Sequence, residues 1–266
     1  MTTGTGPAPR APRDRFDLTG RLAIVTGATK GLGRAFARGL AAAGADVVVS
    51  SRKQEACDAV AAEIAAESGR DVVGLACHVG EWDAIPGFVD QVRERFGRID
   101  VLVNNAGINP AEVALVDVSE GFWDKVLDVN LKGPLRMAAC VAPVMADGGG
   151  GSIVNVASVG AYRGSAGNAH YAASKSALVT LTQSMAAEWA GLGVRVNAIS
   201  PGPFDTEMMQ GGERAMPGFT ERAGAGTMQK RVADPDECVG AIVYLASDAS
   251  SYVTGEDHVV AGGMLR

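Results

Sequence analysis

No apolar run in this chain reaches the roughly 18 to 20 residues that a membrane-crossing helix requires. That excludes a helical membrane span at the level of sequence. Cysteine is scarce: Cys57, Cys77, Cys140 and Cys238 are scattered and form no C-x-x-C pair, so neither a zinc site nor a redox pair is indicated. With 266 residues available to build a core, disulfides are unnecessary, and reduced buried thiols are expected. Histidine is scarcer still, and its three positions make no ligand pattern, so no metal is expected. An excess of positive charge is also missing. A net charge of −6 and a pI near 5.2 argue against a nucleic-acid backbone as partner. The amino end, Met1 to Arg15, is rich in Pro, Arg, Thr and Gly without the apolar segment of a secretory signal. It reads as a mobile arm, residues 1–16, ahead of one domain, 17–266, with the cytoplasm as the default location.

What is present is alternation. Buried-strand patterns occur at Leu22–Thr26, Asp46–Ser50, Val72–Cys77, Val101–Asn104, Ile153–Ala157, Arg195–Ile199 and His258–Val260. Helix patterns at Leu32–Ala43, Gln54–Glu67, Asp83–Phe96, Ser119–Met145 (with a break), His170–Leu192 and from Asp234 to Ser247 connect them. Seven strands with crossover helices predict an α/β fold: a doubly wound parallel sheet of the Rossmann type in a single domain. Pro201 to Arg231 has no clean period and many glycines and prolines. It is expected to be a long irregular loop, in the place of a substrate lid or of a plain surface connection.

Two stretches carry chemistry. Thr26-Gly27-Ala28-Thr29-Lys30-Gly31-Leu32-Gly33 puts three glycines in a strand-to-helix turn. Glycine lets the backbone approach a pyrophosphate, and the helix start supplies free N–H groups and a positive dipole end. At the end of the second strand stand Ser50, Ser51 and Arg52, with no acid to hold a ribose 2′-hydroxyl. Arg52 can fork onto a 2′-phosphate, Ser51 can donate to it, and Lys30 can add charge, so NADP(H) is favoured over NAD(H). Either cation could equally be solvated.

The second stretch is Ser158 to Lys175. Tyr171 and Lys175 are four apart, on one face of a helix. An ammonium beside a phenol is expected to lower the phenol's pKa and make it a proton donor near neutrality. Ser158, just past a strand's carboxyl end, points into the crevice where such sheets bind ligands. A Tyr and Lys so spaced also occur by chance on surface helices. The independent glycine turn is what weights the catalytic reading.

Together these motifs resemble the short-chain dehydrogenase/reductase family, from about Leu18 to Gly263. The resemblance rests on T-G-x-x-x-G-x-G at Thr26–Gly33, N-N-A-G at Asn104–Gly107, Asn130 in V-N-L-K-G, Ser158, Y-x-x-x-K at Tyr171–Lys175, and Pro201-Gly202 with Thr206 beyond. It implies a tetrad. Tyr171 would be general acid or base, Ser158 would orient the carbonyl, and Lys175 would bind the nicotinamide ribose. Asn130 would hold a water that relays protons. It implies that Asn105, Ala106 and Gly107 support the adenosine side, and that Pro201, Gly202, Phe204 and Thr206 line the nicotinamide side. The family usually has Asp-Val after the third strand; here His78-Val79 stands near the expected adenine contact. The Ser-Arg-Lys stretch at 51–53 and Cys77-His78-Val79-Gly80 resemble NADP-dependent carbonyl reductases acting on dicarbonyls or retinal. The expected function is ketone or aldehyde to alcohol interconversion on a small molecule. A 3-oxoacyl-thioester reductase is the enzymatic alternative, and a nucleotide-binding regulator without chemistry is the alternative of another class. The resemblance further implies a homotetramer packed through the Ser119–Met145 and His170–Leu192 regions. Asn109, Tyr162, Arg163, His170, Phe204, Met208 and Met209 are expected around the substrate.

Overall fold

The computed structural model describes residues 11–110, 113–164 and 166–265. The seven strands are β1 (Leu22–Thr26), β2 (Asp46–Ser51), β3 (Val72–Ala76), β4 (Val101–Asn104), β5 (Gly151–Val156), β6 (Val194–Pro201) and β7 (Asp257–Val260). All pairings among them are parallel, in the order β3-β2-β1-β4-β5-β6-β7. The order reverses between β1 and β4, which opens a crevice at their carboxyl ends. The central strands are buried on both faces, which is why they read as unbroken apolar runs rather than as alternation.

Helices cover each face. On one side α1 (Gly31–Ala42), α2 (Gln54–Ser68) and α9 (Val239–Ala246) bury Phe36, Leu40, Ile64, Ile242 and Leu245 against Val25, Val47 and Val103. On the other, α3 (Ala84–Phe96), α5 (Gly133–Asp147) and α6 (Ala169–Trp189) bury Phe88, Val92, Met137, Val141 and Met185 against Ile24, Leu102 and Ile153. Burying each such side chain contributes about 1.5 to 3 kcal/mol. All four cysteines are free; Cys57, Cys77 and Cys238 are buried, and burial pushes their thiols up.

A polar strip runs through this apolar interior. Asn104, paired in register with Asn155, donates to Asn155 Oδ1 at 2.9 Å and to Pro134 O at 3.2 Å. Asn155 in turn donates to Thr182 Oγ1 on α6 at 2.9 Å. Each buried amide has its partner, so desolvation is compensated.

The region between β4 and β5 contains α4 (Glu120–Leu127), N-capped by Ser119, then one π-helical turn, Asp128–Lys132, before α5. The expected break is therefore a widened turn rather than a loop, and Asn130 sits in it. The helix before Ser247 opens with a capping box of Asp234 and Glu237 around Pro235, in a 3-10 turn that leads into α9.

One expectation fails. The stretch after β6 is not irregular: it contains α7 (Glu207–Ala215) and α8 (Phe219–Ala225). Thr206 caps α7 by accepting from Met209 N–H at 3.4 Å. Gly212, which looks like a helix breaker in sequence, is where the Phe219 ring lies; a Cβ there would come within 2.8 Å of it. The arm assignment falls mainly on residues 1–10, outside the described residues. Pro12–Arg15 forms one 3-10 turn beside that of Asp248–Ser250.

Candidate active site

The glycine turn closes β1 onto α1. Gly27 and Gly31 have φ of 64° and 52°, the left-handed region that favours glycine. At Gly33 a Cβ would lie 2.3 Å from Gly27 O and 2.4 Å from Asn105 Nδ2, so no side chain fits. Ala28 N–H donates to Ser50 O at 3.0 Å, which ties the turn to β2. Lys30, the N-cap of α1, makes no side-chain cap, so the first N–H groups of that helix are left to a ligand or water. Thr29 and Leu32 are half-buried in the same turn, while Lys30 is exposed.

Asn105 locks this turn to β4. Its Nδ2 donates to Thr26 O at 2.9 Å and to Gly27 O at 3.2 Å. Thr26 Oγ1 accepts from the Asn105 and Ala106 N–H groups at 3.0 and 3.1 Å. Sequence reasoning passed over Thr26, although its hydroxyl at a buried strand end is the kind of group that must find partners. From across the crevice, Thr206 faces the turn: its Cγ2 would lie 3.3 Å from a Cβ on Gly31. Gly202 packs on Ala261 and donates its N–H to Val260 O at 2.9 Å, which holds Pro201-Gly202 against β7.

Ser158, Tyr171 and Lys175 meet at the carboxyl end of β5. Ser158 caps the 3-10 turn Val159–Ala161, and its hydroxyl and the Tyr171 ring lie on either side of Gly160: a Cβ there would be 3.4 Å from Ser158 Oγ and 3.4 Å from Tyr171 Cε1. Lys175 is only 3% exposed, and its Nζ donates to Val156 O at 2.7 Å. That Nζ lies 5.8 Å from the centre of the Tyr171 ring. Gly107 is packed against both Lys175 and Asn130: a Cβ there would be 3.4 Å from Lys175 Nζ and 3.5 Å from Asn130 Oδ1. Asn130, fully buried, accepts from Ile108 N–H at 2.8 Å and donates to Ile108 O at 2.9 Å. It also donates to Ser174 Oγ at 3.1 Å, and Ser174 donates to Tyr171 O at 2.7 Å. Ser174 was missed in the sequence; the signal was a polar residue on the buried face of the helix, directly before Lys175.

The electrostatics reverse one expectation. Tyr171 is not made more acidic: burial pushes its hydroxyl above the ordinary value of 10, with the nearby Ser158 hydroxyl acting in the opposite direction. Lys175 is itself desolvated, and burial pulls it down to about 8. Near neutrality the pair is therefore a phenol and an ammonium.

Other expected residues scatter. At the end of β2, Ser51 is half-buried and Arg52 exposed. His78 Nδ1 accepts from Gly80 N–H at 3.1 Å, within its own turn. The buried Val79 packs in the core, and its carbonyl lies where a Cβ on Gly133 would fall. Phe204 is buried in the core cluster with Ile242 and Leu245, and it also lines a small cavity with Thr227, Arg231 and Val260. His170 is 1% exposed and edge-on to Phe122, with ring centres 4.9 Å apart; burial lowers its pKa. Met208 is exposed, Asn109 exposed and Met209 half-buried. Among the described residues no group of three or more His, Cys, Asp or Glu is placed to hold a metal, and no helix is long and apolar enough to cross a membrane.

A switch-point crevice floored by a glycine turn, with a phenol and an amine at its far end, defines an oxidoreductase that works with a bound nucleotide. Similarity to known proteins agrees, and the chain belongs to the short-chain dehydrogenase/reductase family. The family described as Enoyl-(Acyl carrier protein) reductase matches residues 27–265. Dehydrogenase/reductase SDR family member 4 of Caenorhabditis elegans is 41% identical over 258 residues, covering 94% of this chain and 96% of the relative. A gluconate 5-dehydrogenase from Burkholderia cenocepacia, solved in complex with NADP and tartrate, is 36% identical with a TM-score of 0.90, over 96% of this chain and 99% of that one. A 3-oxoacyl (acyl-carrier-protein) reductase from Agrobacterium tumefaciens, solved with NADP bound, is 33% identical with a TM-score of 0.88, over 94% and 96%.

Proposed function

We propose that this protein is an NADP(H)-dependent oxidoreductase that interconverts a ketone or aldehyde and an alcohol. The observation that carries the reading is the convergence of Ser158 Oγ and the Tyr171 ring about Gly160, beside a buried Lys175, at the crevice end of β5. The residues fit a dinucleotide. The uncapped start of α1 and the tight glycine turn before it suit a pyrophosphate, held by Gly27, Thr29, Lys30, Gly31, Leu32 and Gly33. When bound, the nicotinamide supplies or accepts the hydride. Tyr171, kept as a phenol by burial, gives its proton to the carbonyl oxygen in reduction and takes one from the alcohol in oxidation. Ser158 donates to the same oxygen and fixes its position. Lys175, still an ammonium at neutral pH, holds the ribose hydroxyls. Asn130 braces Ile108 and Ser174 from the π-helical turn and is proposed to support a water that relays protons to Lys175.

The preference for NADP(H) is supported by Ser51 and the exposed Arg52 at the end of β2, where no carboxylate stands to repel a 2′-phosphate, and by the NADP bound in both structural relatives. His78, Val79, Asn105, Ala106 and Gly107 take the adenosine side, and Pro201, Gly202, Phe204 and Thr206 the nicotinamide side. A 3-oxoacyl-thioester substrate is the second reading, favoured by the Agrobacterium relative. A homotetramer through the Ser119–Met145 and His170–Leu192 regions is proposed as well. Alanine and other apolar residues run around much of α6, as in a helix covered on more than one side.

The test is Tyr171→Phe in the full chain, with carbonyl turnover followed by the absorbance of the reduced nicotinamide. Turnover should fall by about a hundred- to ten-thousandfold, the range that general acid catalysis contributes, with NADPH affinity within about twofold of the parent. Retention of most of the activity would refute the proton-donor role. Side-by-side turnover of an acyl-carrier 3-oxoacyl thioester and of free diketones separates the two substrate readings.

A further inference from the structure

Starting from Ser158, one polar cluster joins the segment after β5 to the edge of the sheet. Ser158 Oγ accepts from Gly160 N–H at 3.0 Å, and its carbonyl accepts from Ala161 N–H at 2.9 Å. These bonds make Ser158 to Tyr162 a single tight turn. Tyr162 then donates its hydroxyl to Asp257 Oδ2 at the start of β7. Ser200 Oγ, near the end of β6, donates to the same oxygen at 2.7 Å. Asp257 Oδ1 is buried and has no protein partner, so one oxygen takes both bonds. The turn has a third anchor, because Ser176 Oγ donates to Ala161 O at 2.6 Å. Ser176 follows Lys175 directly on α6.

The turn that carries Ser158 is thus fastened to β5, to the helix carrying Tyr171 and Lys175, and to the sheet edge. The edge anchor is the one that packing does not explain, for Tyr162 is 50% exposed. A half-exposed ring is held by its hydroxyl, and burial of that hydroxyl together with the Asp257 carboxylate pushes it up to about 12, so it stays a donor at working pH. Geometry at a reacting centre is unforgiving: a displacement of about 1 Å can cost on the order of a hundredfold in rate.

We propose that Asp257, acting through Tyr162, is a positioning residue that sets the Ser158 hydroxyl against Tyr171. The proposal rests on the reading of Ser158 and Tyr171 given above. It assigns Asp257 no contact with substrate.

The test uses the full chain with NADPH and two carbonyl probes, 2,3-butanedione and 4-nitrobenzaldehyde, for Tyr162→Phe, Asp257→Ala, Asp257→Asn and the double variant Tyr162→Phe/Asp257→Ala. Tyr171→Phe is run beside them. The first two variants should each lose kcat by about ten- to a hundredfold, with KM for NADPH unchanged, and the double variant should be no worse than either alone. Asp257→Asn keeps one carbonyl oxygen to accept both hydroxyls and should retain kcat within about threefold on the same geometric argument. Hydrogen exchange gives a readout independent of turnover. The amides of Gly160 to Tyr162 should lose protection in Asp257→Ala while those of β5 and α6 keep theirs. Full kcat in Tyr162→Phe and Asp257→Ala, or unchanged exchange across the turn, with Tyr171→Phe inactive, would overturn this proposal alone. An active Tyr171→Phe would overturn it together with the reading of the site.

Discussion

Lys175→Met in the nucleotide-free protein is the most direct measure of how the site is charged. Burial pulls Lys175 from 10.5 down to about 8, and the side chain is nearly inaccessible, so solvent screening does not discount the effect. An unfolded chain holds the proton up to about pH 10.5 while the folded one releases it near 8, so the unfolded state binds more protons between those values. Stability from this group therefore rises with pH across that window. Below it the buried ammonium costs roughly 3 kcal/mol, from about 1.4 kcal/mol per unit. Methionine removes that cost but leaves Val156 O without its donor, a loss of about 1 to 3 kcal/mol. The absolute difference at pH 7 is thus small. Its pH dependence is the signature: between pH 7 and 9.5 the variant should lose about 2 kcal/mol relative to the parent, a relative shift of roughly 4 to 8 °C in melting temperature. Tyr171, pushed above 10, stays protonated throughout and drops out of the comparison. Calorimetry of both proteins at equal concentration across that range is the assay. A difference in melting temperature that stays flat would refute the idea of a desolvated ammonium.

Two other outcomes are expected. Arg52→Asp should weaken NADPH by at least about tenfold relative to NADH, since a carboxylate there repels a 2′-phosphate and accepts from ribose hydroxyls; unchanged preference in fluorescence titrations would remove Arg52 from the phosphate site. Gly33→Ala puts a methyl 2.3 Å from Gly27 O. It should destabilise the fold by about 1 to 3 kcal/mol and abolish NADPH binding, and a variant that melts and binds like the parent would show that the turn does not cradle phosphate.

The strands were legible because both faces of the sheet are covered, which turns each into a short, wholly apolar run such as Leu22–Thr26 or Val101–Asn104. The glycine turn was legible because the positive φ at Gly27 and Gly31 is a demand of the local backbone. What escaped depended on how separate elements pack. The helices at Glu207–Ala215 and Phe219–Ala225 were hidden because Gly212 is explained only by the Phe219 ring resting on it. The sign of the Tyr171 shift was misjudged because spacing along a helix puts the amine nearby but says nothing of how dry the site is.

The amide strip from Asn104 through Asn155 to Thr182 has a consequence for how the sheet assembles. A one-residue slip turns every side chain to the other face, and where both faces are covered by similar apolar side chains the buried polar groups discriminate most sharply between registers. Two asparagines facing each other do so here: any misalignment of β4 on β5 would strand both in a dry interior. The strip therefore works as a notch and tooth. Gly107 and Ser158 each follow a few residues beyond the notch, so the alignment chosen deep in the protein is carried forward to the place where the chemistry happens.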